Sequence, residues 1–175
     1  MEGKVIQYAR RDAVQYARRW ALSRNRAYND FTKGGGDCMN FVSQCLYAGG
    51  LPFKNNGFEW HGLRGGSSFS WRGVDSFLKL LKNYQQFGSP RLEFSCEETP
   101  ESLKAGDLVF TVAEGVSGDI ERNPSHVVIL SHDYADKGQL VVCGHRGKEV
   151  PSSIMRKFIY KSGRTQSAQG RETCP

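Results

Sequence analysis

The chain has 175 residues, 38% of them hydrophobic and 24% charged, with a formal net charge of +6. That is enough for one domain with a full hydrophobic core and too little for two of ordinary size. No apolar run is long enough to span a bilayer, and the basic excess is not gathered into a tract or a known nucleic-acid-binding signature, so neither a membrane span nor a nucleic-acid partner is expected.

Apolar residues recur at three- and four-residue steps from Ile6 through Ala13, Tyr16 and Ala17 to Trp20 and Ala21, which predicts an amphipathic helix over residues 4 to 26. Its arginines, Arg10, Arg11, Arg18 and Arg19, fall largely on other faces and read as a solvated surface. The loop "NDFTKGGGD" follows, and then a second helix over 38 to 48, with Asp37 where an N-cap belongs and Gly49-Gly50 as its stop. Residues 52 to 70 show no clear period and read as a long ordered loop. A third helix carries Trp71, Val74, Phe77, Leu78 and Leu81 on one face. The period then changes. "GDLVFTV" (106 to 112), "SHVVILSHDY" (125 to 134) and "QLVVCGH" (139 to 145) read as strands, with "YADKG" as a turn and "RKFIYK" (156 to 161) as a further strand. Helices followed by an antiparallel sheet give an α+β domain over residues 1 to 161, and the polar residues 162 to 175 read as a mobile tail.

The segment "GGGDCMNFVSQCLYAGG" sets Cys38 at the point where a glycine-rich loop becomes a helix. A cysteine attacks as its thiolate. A helix N-terminus and a neighbouring histidine lower its pKa from about 8.5, and an unpaired N–H of the first turn can face an oxyanion. Cys45, two turns on along the same face, reads as a buried core residue. His126 opens the most apolar strand, and His145 ends the next one after a tight turn, so antiparallel pairing brings the two together. Nucleophile, base and orienting group then follow in the order Cys38, His126, His145. His61 reads as a rim residue. Trp60 and Trp71 are candidates for a groove wall, although a core role for Trp71 fits equally well. A zinc site built from Cys143, His145, His126 and His132 matches no common ligand spacing, so no metal and no cofactor is expected. The five cysteines form no C-x-x-C pair. An odd count, with no apolar signal core in "MEGKVIQYARRDAVQYARRW", points to reduced thiols. The compartment stays open: the cytosol, export by another route, or excision from a longer parent.

Taken together, "YARRDAVQYARRWA", "GGGDCMNFVSQCLYAGG", "SFSWRGV", "GDLVF" and "SHVVIL" resemble the putative amidase domain family of bacterial proteins, over about residues 8 to 153. The resemblance implies a papain-like fold related to CHAP amidases and cell-wall hydrolases, with helices packed on a C-terminal antiparallel sheet. It implies Cys38 as nucleophile, His126 as general base and His145 in the third, orienting position. Asp37 matches the acidic residue before the nucleophile, and Tyr28 and Asn40 match positions near the site. With Trp71 these are candidates for substrate or oxyanion contacts. The expected function is hydrolysis of amide bonds through a Cys38 thioester by a monomer, with peptide or peptidoglycan as substrate. Two rival readings stand beside it: a papain-like toxin or effector acting on a protein target, and a catalytically idle module binding peptide or glycan in the same groove.

Overall fold

The computed structural model describes residues 7–35, 37–53, 59–87, 95–97, 100–111, 125–145 and 158–161. Its elements in order are α1 (Arg10–Trp20), α2 (Asp37–Ala48), β1 (Gly62–Leu63), β2 (Gly66–Ser67), α3 (Phe69–Arg72), α4 (Val74–Phe87), β3 (Ser95–Glu97), β4 (Leu108–Thr111), β5 (His126–Leu130), α5 (Tyr134–Lys137), β6 (Val142–Cys143) and β7 (Phe158–Lys161). Strands β3-β7-β4-β5-β6 form one antiparallel sheet in that spatial order, and β1 pairs with β2 in a separate hairpin. Helices against an antiparallel sheet are what the sequence predicts, and β7 falls within the strand expected at 156 to 161.

Helix α2 is the centre of the molecule. Met39 to Leu46 are all buried, because α1, α3 and β5 pack around it. A helix buried on every side needs partners for its polar residues. Asn40 accepts a hydrogen bond from Trp71 Nε1 at 2.9 Å, Ser43 Oγ one from Trp60 Nε1 at 3.2 Å, and Gln44 Oε1 one from Tyr16 at 2.7 Å. One face of the sheet meets this helical layer through Leu108, Phe110, Val127 and Ile129, while Val109, Val128 and Leu130 form a smaller cluster with Leu103 on the other face. A buried ion pair joins α1 to the start of β4: Arg10 Nη1 lies 2.6 Å from Asp107 Oδ1.

Several boundaries differ from the sequence reading. The first helix ends at Trp20, not at 26, because the polar run after it folds on itself: Ser23 N–H donates to the Trp20 carbonyl, and Asn25 Oδ1 accepts from Ala27 N–H in an Asx turn. Asp37 is the first helical residue rather than a cap. The third helix is two, broken at Gly73, where the backbone turns extended. The stretch from 52 to 70 contains the β1–β2 hairpin, "YADKG" forms the short helix α5 ending at Gly138 with φ +63°, and β3 is an additional strand. The expected mobile tail at 162 to 175, residues 112 to 124, Ile6 and Cys174 lie outside the described residues. Among the described residues no helix is long and apolar enough to cross a membrane.

Candidate active site

Cys38 is the second residue of α2, half-buried, with its N–H in the first turn, where no intrahelical acceptor exists. The N-terminus of α2 abuts the start of β5, and Cys38, His126 and His145 line one cavity of about 410 Å³ together with Phe31, Thr32, Gly35, Asp37 and Ser125. Three side chains far apart in sequence thus meet at the junction of central helix and sheet. Cys45 is fully buried, as expected of the core cysteine, and burial pushes its thiol well up. Cys38, Cys45 and Cys143 are free thiols.

The electrostatics of Cys38 differ from the sequence expectation. Burial is the largest influence and pushes its thiol up. The backbone N–H groups of Val127, Met39 and Cys38 itself pull it down, and the neighbouring Asp37 carboxylate pushes it up again. The helix N-terminus therefore does not by itself supply a standing thiolate; ionisation of this thiol needs a base that takes its proton.

Asp37 is the hub of a second cluster. Arg24 donates to it twice, Nη1 to Oδ1 at 3.0 Å and Nη2 to Oδ2 at 2.8 Å, and His145 Nδ1 lies 2.8 Å from Oδ2. Asn40 Nδ2 and Phe31 N–H add contacts of 3.3 Å each to Oδ1. Desolvation opposes the charge, but the hydrogen bonds from His145 and Arg24 hold the carboxyl far below its ordinary range. With its Nδ1 on the carboxylate and its ring packed 4.3 Å from that of Phe41, His145 is fixed in orientation, and its Nε2 is buried with no hydrogen-bond partner.

The hairpin expected to bring His145 and His126 together makes no hydrogen bond between them through Nε2. Register is one reason. Ile129 pairs with Cys143, so continuing that antiparallel pairing two residues sets His145 opposite Val127 and not opposite His126. The other reason is Asp37, whose charged oxygen takes the Nδ1 position.

The remaining candidates separate by burial. Trp71 and Trp60 are core residues, with rings 4.8 Å apart and exposures of 0% and 2%, so neither forms a groove wall. They are held there by the buried polar groups of α2. Asp37 is spoken for by Arg24 and His145, and a carboxylate can only accept, so it cannot donate to an oxyanion. Asn40 is buried beneath the site, its Nδ2 directed to the Asn29 carbonyl and to Asp37. Tyr28 is half-buried, stacks on Trp71 at 5.8 Å and lines a second cavity that His145 also lines. His61 is half-buried beside Glu59, and His132 lies against Arg18 and Ser131 at the other end of β5. Among the described residues no group of three or more His, Cys, Asp or Glu is arranged to hold a metal ion.

Arg24 escaped the sequence reading, since the predicted helix ran through it. Only the early end of α1 frees it to reach Asp37.

Against this geometry the sequence comparison is decisive for family. Residues 7–166 match the putative amidase domain. The chain belongs to the putative amidase domain family. A relative in that comparison, the "Uncharacterized protein YhbB" of Bacillus subtilis (strain 168), is 33% identical over 162 residues, covering 91% of this chain. The amidase-family chain spans about half of that relative, 47% of its length. No solved structure matches it. The matched range contains all of Cys38, His126, His145, Asp37 and Arg24.

Proposed function

We propose that the protein is a papain-like, cysteine-dependent amidase. The observation that carries this reading is one cavity holding a helix-start cysteine and two histidines, in a chain whose family is named for amide hydrolysis. Cys38 Sγ attacks the amide carbonyl carbon while His126 takes the thiol proton. The carbonyl oxygen becomes an oxyanion facing the Cys38 backbone N–H. As the C–N bond breaks, His126 returns the proton to the leaving amine and a thioester remains on Cys38. Water, deprotonated by the same imidazole, adds to the thioester; the C–S bond breaks, and acid and free thiol are released. His145, held through Nδ1 by Asp37, fills the third position, with its Nε2 buried and unpartnered. In this reading it takes the orienting role beside His126. The substrate class, an amide of bacterial cell-wall peptide, follows from the family resemblance, and the net charge of +6 suits an anionic polymer.

One observation favours a second assignment of the base. Nδ1 of His145 is bound to a carboxylate while its Nε2 is unpartnered beside Cys38's cavity, which is the preparation a general base requires. In that version Cys38, His145 and Asp37 are the working set and His126 lies at the rim.

The test is incubation of the full chain with purified muropeptides and, separately, with a cell lysate, each read by mass spectrometry. New amine and carboxylate ends that vanish in Cys38→Ala support the amidase. Retained hydrolysis in Cys38→Ala refutes it. Products confined to lysate proteins move the substrate from wall peptide to protein.

A further inference from the structure

A second cavity, of about 650 Å³, adjoins the first; His145 lines both. Nothing in the thioester chemistry above uses it. Arg24 on its wall is already matched by Asp37 and by Asp30, whose carboxylate lies 3.3 Å from Arg24 Nη1 and also takes hydrogen bonds from Thr32. Two further arginines on the wall, Arg26 and Arg64, are exposed and have no carboxylate partner among the described residues. The cavity therefore holds two cationic side chains beyond those its own acids neutralise.

Its floor is also built to donate. Gln44 is 2% exposed and lines the cavity. Asn25 Nδ2 donates to Tyr16 Oη at 3.0 Å, and Tyr16 donates its only proton to Gln44 Oε1 at 2.7 Å. Burial pushes the Tyr16 phenol well up, so it keeps that proton throughout the physiological range. With Oε1 so engaged, the Gln44 amide N–H₂ has no acceptor among the described residues. That amide is not one of the described atoms sealed from solvent without a partner, so the acceptor open to it is water or a ligand in the cavity.

We infer that this cavity is a subsite for a carboxylate carried by the substrate close to the scissile amide, with Gln44 Nε2 as the fixed donor at its floor and Arg26 and Arg64 closing over the anion from the rim. Planar guanidinium forks suit a carboxylate, and the shared His145 wall limits the separation of acid and amide to a residue or two. The inference rests on the amidase reading for the word "substrate", but not for the anion site itself.

The experiment has two arms. In the first, the ¹⁵N-labelled full chain is titrated with glutarate and with its neutral diamide, following the Gln44 side-chain amide and the arginine Nε signals. Glutarate is expected to shift them and the diamide not. High salt weakens the response, and Arg26→Ala with Arg64→Ala, both surface changes compatible with folding, weakens binding by about tenfold or more. Equal shifts from acid and diamide, or none from either, overturn the subsite. In the second arm, muropeptides with the side-chain carboxyl or the α-carboxyl selectively amidated are compared as substrates. The form whose amidation lowers kcat/KM by about tenfold or more identifies the bound group, and the double arginine variant erases that difference. Cys38-dependent hydrolysis indifferent to both amidations overturns the subsite and leaves the amidase intact. Glutarate-specific shifts without any hydrolysis uphold the anion site and overturn the amidase.

Discussion

Asp37→Asn isolates the interaction on which the site's geometry turns. The change keeps the shape and removes the charge that binds Arg24 at 2.8 and 3.0 Å and His145 at 2.8 Å. The Arg24 side chain is 34% exposed and recovers hydration, so its share is small; the His145 side chain is 5% exposed and does not. One lost charge-assisted hydrogen bond to a buried partner costs about 1.5–3 kcal/mol, which lowers Tm by roughly 3–12 °C in a chain of this size. The same loss at the active site lowers kcat/KM by about ten- to 150-fold, because an asparagine amide can donate to Nδ1 and reverse the tautomer that leaves Nε2 as acceptor. The pH dependence has a definite sign. Asp37's carboxyl is depressed in the folded chain, so its stabilising contribution is fully present above the unfolded carboxyl range and disappears as pH falls below about 4. Urea unfolding of wild type and variant, followed by tryptophan fluorescence across that range, should show a gap that is widest at neutral pH and closes in acid. Wild-type kcat/KM in the variant, or a stability gap that persists unchanged in acid, would refute the reasoning.

Cys38→Ala should abolish hydrolysis and leave Tm nearly unchanged, whereas Cys45→Ala, at a fully buried position of α2, should lower stability by about 1–2 kcal/mol and keep activity; the reverse pattern in parallel melting and turnover assays would exchange their roles. Because burial pushes the Cys38 thiol up, its reactivity depends on a basic neighbour. Iodoacetamide alkylation against pH, mapped to Cys38 by mass spectrometry, should shift to higher pH in His126→Ala and less in His145→Ala; a larger shift in the latter assigns the base to His145. Asp107→Ala leaves Arg10, whose side chain is 11% exposed, without its carboxylate, and should cost about 3–5 kcal/mol in denaturant unfolding; a loss under about 1 kcal/mol would mean that Arg10 finds water.

The local signals in the sequence were sufficient for the elements that form the site. An apolar run between glycine-rich ends defines α2 and sets Cys38 at its start, and β-branched runs define β4 and β5, since these patterns act over a few residues. The same signals misjudged ends governed by side-chain competition for the backbone, as at Ser23 to Ala27, where a predicted helix gives way to turns.

What the sequence by itself determined is the inventory: a cysteine at a helix start, a histidine at a strand mouth, and an acid beside the cysteine. Only tertiary packing decided the partnerships. Asp37 meets Arg24 and His145 across separations of 13 and 108 residues, Trp71 turns inward to Asn40, and Gln44 is left with a free donor over a second cavity. Periodicity encodes which face of an element is buried. It carries no information about which charged group will stand opposite once helix and sheet close, because that pairing depends on crossing angle and register, which are set jointly by residues far apart in the chain.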